Sequence, residues 1–225
     1  MRERQPWVKR TDGSSNLWQP LIGARDVEKA RAAAEGLRNA IAVQVDVTDE
    51  GSISAALDNV GKLDHIVVTA SAHHNVPVTE LDQQLTTRAF EAKVIGPLLL
   101  AKHAARVLPA TGSIVLFSGF AAWKPQDGYS IMGITNGAVS FAATHLAKEL
   151  APIRVNAISP GVIDSGSWRW MEAADREQFY RSSAEASFAG RVGSNSDITD
   201  AVLYLLSAGF MTGETLHVEG WARFA

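Results

Sequence analysis

Three kinds of side chain sit where they could do chemistry. Ser118 follows the apolar run Ile114-Val115-Leu116-Phe117, and Ser118-Gly119 closes that run as the end of a buried strand. Its hydroxyl can donate a hydrogen bond to a substrate oxygen, or it can satisfy the backbone at the strand end. Tyr129 is the one tyrosine close to this strand end in sequence. It offers a phenolic acid or donor, with a partly buried ring and a wetted hydroxyl as the plainer reading. His73-His74 follow another apolar run and titrate near neutrality, which suits a general base or a solvated loop. Adjacent histidines cannot face one ligand from a helix, and no acidic or histidine partner lies at ligand spacing. No metal site is expected.

The elements that must carry these residues follow from the apolar pattern. Within 112–161 a strand is followed by a helix with Ala138, Phe141, Ala142, His145 and Leu146 on one face, and then by the strand Ile153–Ile158. Strand, helix, strand reads as a βαβ unit, so the strands should be parallel with a right-handed crossover. In such sheets ligands sit beyond the carboxyl ends of the strands, which brings Ser118 and Ser159-Pro160-Gly161 to one pocket. Elsewhere the spacing predicts helices over 26–37, 50–60, 80–108 and 196–208, and strands over 40–45, 63–68 and 215–218. The helix over 80–108 should turn Phe90, Val94, Leu98 and Ala101 inward and be irregular at Gly96-Pro97.

Length and composition bound the rest. With 225 residues, 46% of them hydrophobic, residues 1–225 should form a single domain with a layered core. A net charge of −3 gives no electrostatic case for nucleic acid or an anionic membrane. The chain has no cysteine, and MRERQPWVKR is not followed by an apolar signal segment, so the cytoplasm is the expected location. No apolar run approaches the ~18 residues of a membrane span.

The stretch KELAPIRVNAISPG, the serine after IVLFSG and the later MTGETLHVEG resemble the short-chain dehydrogenase/reductase family over roughly residues 20–220. The resemblance implies a Rossmann-like, doubly wound parallel sheet in three layers and hydride transfer to or from NAD(P). It also implies a Ser, a Tyr, and a Lys four residues after the Tyr. Counting back from Lys148, the Tyr and Lys positions are occupied by Met132 and Asn136, so of this set only Ser118 remains. A family Asn on the preceding helix is matched by Lys93, a cation able to stabilise an anion or lower a neighbour's pKa, or else simply pointing to solvent. The family places a substrate lid over 162–191. Here that segment holds Trp168, Trp170, Met171, Phe179 and Tyr180, large apolar side chains that must cover a ligand, the core or a neighbouring subunit, with Met171 among the expected substrate contacts.

Residues 1–24 depart further from the family. Thr11–Asn16 resembles its glycine-rich phosphate turn, but Asp12, Asn16 and Trp18 stand where glycines would let backbone amides approach an anion. About four residues separate Asn16 from the next strand, too few for a crossover helix, so the first βαβ unit should be truncated. No cofactor is therefore expected. If NADPH or NADH does bind, Gly13, Ser14, Arg25, Asp46, Pro160 and Gly161 are the residues to hold it, Asp46 being alternatively an N-cap. The leading expectation is an enzyme of redox-neutral chemistry (cyclase, isomerase or lyase) acting on a small apolar or aromatic molecule. Ser118, Tyr129 and Lys93 would be its catalytic groups, with His73, Met132, Asn136 and the lid aromatics contacting substrate. The alternatives are an NAD(P)H-dependent oxidoreductase with an atypical site and a non-catalytic partner subunit. A homodimer or homotetramer should form through the helices near 80–108 and 132–150.

Overall fold

The computed structural model describes residues 7–10 and 19–225. Its centre is a seven-stranded sheet in the order β3-β2-β1-β4-β5-β6-β9. The strands are β1 (Trp7–Arg10), β2 (Gln19–Ala24), β3 (Ile41–Gln44), β4 (His65–Val68), β5 (Ser113–Phe117), β6 (Arg154–Pro160) and β9 (Thr215–Val218). A short parallel pair, β7 (Ile163–Asp164) with β8 (Gly193–Ser194), stands apart. The β2–β3, β4–β5, β5–β6 and β6–β9 pairings are parallel, as the βαβ reading requires. The central strand β1 is the exception and runs antiparallel to both β2 and β4. Trp7 pairs with Ile22 and Val67 near the carboxyl ends of its neighbours, whereas Arg10 pairs with Gln19 at the opposite edge. A short reversing connection can join antiparallel strands, while a parallel pair needs a crossover. Gly13 and Ser14 lie outside the described residues.

Helices cover both faces. On one side α2 (Glu50–Val60), α4 (Gly96–Ala104) and α5 (Ser130–Glu149) bury Ile53, Leu57, Leu100, Val139 and Ala143 against Ile66, Ile114, Leu116 and Val155. On the other, α7 (Asn195–Ser207) places Leu205 and Leu206 against Val67, Val115 and Ile158, and α1 (Val27–Ala34) places Ala30 against Ile22. Alternation along each strand sorts residues between these layers. Ser118 falls on the α5 side, in step with Ile114 and Leu116.

Two helical expectations are corrected. The helix over 80–108 is divided into α3 (Gln83–Phe90), a π-helical turn Glu91–Ile95, and α4. The inward face is offset by one position from the expected one already at Ala89, before the turn. Ala89, Lys93, Gly96, Pro97 and Leu100 are buried; of the expected residues Ala101 is buried, Phe90 and Val94 are half-buried, and Leu98 is exposed. Gly96 lets α4 approach the residues after β3 closely, because a Cβ there would fall 2.4 Å from the Val47 carbonyl oxygen. In α5 the buried face is Ile131, Thr135, Asn136, Val139, Ser140, Ala143 and Ala147. Of the expected face, Ala142 and Leu146 pack half-buried at the edge of the core, while His145 is exposed and Phe141 is 72% exposed. This helix is apolar on two sides, so periodicity alone could not choose between them.

Candidate active site

The carboxyl ends of β4, β5, β6 and β9 form one rim, and α5 with the π-turn brings side chains to it from one face. Ser118 leaves β5 with its amide bonded to the Ile158 carbonyl of β6, which fixes its height. Its hydroxyl donates to the Asn136 carbonyl at 2.8 Å and accepts from the Ser140 hydroxyl at 2.9 Å. Ser140 was not anticipated, although its spacing of four from Asn136 puts both on one helical face. Asn136 is buried and packs against Gly119 so closely that a Cβ there would lie 2.7 Å from its Nδ2. Its Oδ1 is buried without a hydrogen bond.

Lys93 joins the same cluster. It is only 8% exposed, and its Nζ donates to the Ser118 carbonyl at 3.5 Å. It lies one turn after the buried Ala89 on the same face, so the solvent-facing alternative for this residue is overturned. Burying an ammonium is costly unless polar groups or an anion meet it.

The remaining candidates are more dispersed. Tyr129 precedes the first turn of α5, half-buried, and lines an open hollow of about 760 Å3 with Val78, Ala121, Gln126 and Ile134. Ser118 and Lys93 are not among the walls of that hollow. Met132 is half-buried and His73 is exposed. His74 is the inward member of the pair, its Nε2 accepting from the Asp82 amide at 2.9 Å. The lid segment folds around α6 (Ala173–Glu185). Trp168 packs on Phe179 with ring centroids 4.7 Å apart and donates from its indole to the Ile163 carbonyl. Tyr180 donates to Asp164 at 2.9 Å; burial and then that carboxylate push its pKa up to about 12, so it stays protonated. Met171 is half-buried, whereas Trp170 is 71% exposed.

The residues suited to a dinucleotide fit in part. Arg25 and Asp46 lie just past the carboxyl ends of β2 and β3, on the rim. Asp49, not Asp46, caps α2, and Asp46 folds back onto the Thr48 amide and hydroxyl at 2.9 and 2.7 Å. Pro160 ends β6, and Gly161 donates to the Val218 carbonyl at 3.0 Å. The buried Ser71 hydroxyl past β4 has no hydrogen bond, as expected of a rim built to meet another polar group. Among the described residues there is no cluster of three or more metal-ligating side chains and no helix long and apolar enough to cross a membrane.

Comparison with known proteins sets this geometry in context. A family profile described as enoyl-(acyl carrier protein) reductase matches residues 20–220. An uncharacterised oxidoreductase of Methylorubrum extorquens is 32% identical over 92% of this chain and 86% of its own length. A cis-4-hydroxycyclohexanecarboxylate dehydrogenase of Sinomonas cyclohexanicum is also 32% identical, over 88% of this chain and 82% of its own. Among solved structures, a small-chain dehydrogenase in complex with NADPH is 33% identical, with a TM-score of 0.79, over 87% of this chain and 92% of that one. A short-chain dehydrogenase/reductase from Mycobacterium ulcerans is 26% identical with a TM-score of 0.80, over 91% and 80% of the two chains. The expectation that no cofactor is used is thereby overturned: a relative of matching length and fold holds NADPH, and the relatives are dehydrogenases. The altered residues at 12, 16 and 18 had weighed against a cofactor, but the family match spans residues 20–220, beyond those positions. By sequence and by fold, this chain belongs to the short-chain dehydrogenase/reductase family.

Proposed function

We propose that the protein is a nicotinamide-dependent oxidoreductase that interconverts an alcohol and a carbonyl on a small molecule with a largely apolar body. The single observation that carries this reading is the buried Lys93 ammonium beside Ser118, a fixed cation at the rim where a substrate oxygen would gain negative charge. When bound, the nicotinamide supplies or accepts the hydride. The protein's own residues hold the substrate oxygen, exclude water and manage its charge and proton. Lys93 carries three N–H donors and stabilises the oxyanion, standing in for the pair lost at Met132 and Asn136. Ser118 is a positioned neighbour. Both its hydroxyl proton and one acceptor lone pair are already engaged, so donation to substrate would require release of the Asn136 carbonyl.

Trp168, Phe179 and Tyr180 form the apolar lid, while Tyr129 contacts substrate from the adjoining hollow. Arg25 would face a 2′-phosphate and thus favour NADPH, and Asp46, Pro160 and Gly161 would line the remainder of the cofactor. That a relative oxidises a ring alcohol supports the substrate class. The outward Ile95, Leu98, Ile134 and Phe141 on the π-turn, α4 and α5 support a homo-oligomer formed through those helices.

The test is NADPH- and NADH-dependent turnover of a panel of cyclic ketones and alcohols, together with Arg25→Ala. Turnover with NADPH preferred, and that preference lost in the variant, is the expected outcome. No turnover of any member with either nucleotide would refute the reading.

A further inference from the structure

A second polar cluster lies two strands from Ser118, and nothing in the hydride chemistry uses it. His217 sits opposite Ser159 in the β6–β9 register, so both project to the α5 face with Ser118. Glu219, two residues on, continues that face beyond the strand. Its side chain is 2% exposed. One carboxylate oxygen lies 3.2 Å from Arg223 Nε, and the other 3.8 Å from His217 Nδ1. Trp123, from the loop between β5 and α5, stands edge-on to His217 with ring centroids 4.5 Å apart.

Five buried polar atoms of this cluster lack a hydrogen bond of good geometry, Ser159 Oγ, His217 Nδ1, both Glu219 oxygens and Arg223 Nη1, although the Arg223 backbone amide also faces the Glu219 carboxylate. Buried polar atoms are rarely left so, and their concentration at one rim position marks a place made for a polar guest. The complementary guest can be read from the atoms. Glu219 and Arg223 offset each other's charge. An added anion would meet the carboxylate, and an added cation would meet the guanidinium. A neutral hydroxyl can donate to Glu219 while accepting from Arg223, and a second hydroxyl on the next carbon can reach Ser159 or His217. The Trp123 ring supplies an apolar wall for the carbon skeleton.

We propose that Ser159, His217, Glu219 and Arg223, walled by Trp123, form a subsite for the neutral hydroxyl-bearing end of a small molecule, a vicinal diol or sugar-like polyol. Burial pushes the Glu219 carboxyl up against the pull of Arg223, and burial together with Arg223 keeps the His217 imidazole low. The lowered imidazole adds no charge to the Glu219–Arg223 pair near neutral pH, whereas protonation of Glu219 would leave Arg223 uncompensated.

The experiment titrates the full chain, without nucleotide, with cis-cyclohexane-1,2-diol, cyclohexanecarboxylate and cyclohexylamine, following tryptophan fluorescence and calorimetry. The diol is expected to bind saturably and the two charged analogues at least about tenfold more weakly, the size of one charge-assisted hydrogen bond lost in a buried site. Glu219→Gln is expected to weaken the diol by about tenfold at an unchanged melting temperature. If that variant does not fold, Ser159→Ala decides the matter, with a weakening of about fivefold expected. No saturable diol binding, equal binding of the carboxylate, or unaltered affinity in the folded variant would overturn the proposal, the first outcome meaning that the atoms are met by water alone. Because no nucleotide is present, failure here leaves the oxidoreductase reading standing, and failure of NADPH turnover leaves the subsite standing.

Discussion

Replacing Lys93 with methionine is the most informative single perturbation. The side chains are similar in length and the site is closed, so the change removes a charge and little volume. A unit charge about 4 Å from a developing oxyanion is worth about 4 kcal/mol at an effective dielectric of about 20. Loss of a single oxyanion-stabilising group commonly costs about 10²–10³ in kcat. Lys93→Met is therefore expected to lower kcat by about a hundredfold or more with KM within about threefold, because the interaction strengthens as charge develops. Stability should change little. The ammonium is only 8% exposed, so relief of its desolvation penalty is set against loss of its bond to the Ser118 carbonyl. The assay is steady-state kinetics on the best substrate of the alcohol and ketone panel, paired with thermal melts. A kcat loss below about fivefold in a folded variant would refute the role given to Lys93, since one fully used charge cannot be worth so little in a closed site.

Three further outcomes follow from the same geometry. Ser140→Ala removes the donor to Ser118 and should lower kcat about tenfold or less, whereas Ser118→Ala should cost no more than Lys93→Met; the same kinetics checks both. Gly96→Ala drives a Cβ into the Val47 carbonyl and should destabilise the fold by about 1–3 kcal/mol, read from urea unfolding. Asp197 is held well below the usual carboxylate range by Arg191, with Ser194 adding further hydrogen bonds, and it closes the capping box of α7. A depressed folded-state pKa contributes stability above the unfolded value of about 3.9 and loses it as pH falls through the folded value. Asp197→Asn should therefore be less stable than the parent at neutral pH, the gap closing below about pH 4, as melts across a pH series would record.

What could be read from the chain divides along physical lines. The strands of β4, β5, β6 and β9 are short apolar runs closed by turn residues, and their order follows from the crossover rule. The carboxyl rim and the place of Ser118 on it followed from that, whereas the lid expected over 162–191 came from the family resemblance alone. The π-turn did not follow, because it leaves no mark on composition, and the choice between the face of Ala89 and Lys93 and the face of Phe90 and Leu98 was left open by periodicity. The reversed β1 was equally hidden: Trp7-Val8-Lys9-Arg10 carries two cations and shows no apolar run, and its place between β2 and β4 is decided by partners distant in sequence. In α5 both faces are apolar, so the pattern could not say which of them meets the sheet. His217 and Glu219 could have been paired by alternation, and Arg223 by its spacing of four from Glu219. The departures at Met132, Asn136 and the phosphate turn drew attention to what was missing and away from what the rim retains.

The central claim is use of a nicotinamide cofactor, and direct calorimetric titration of the protein with NADPH tests it most simply. Saturable binding with a dissociation constant of about 1–100 μM, weaker for NADH, is the predicted result. The absence of any binding at about millimolar NADPH, where even an affinity of about −4 kcal/mol would register, would contradict the account.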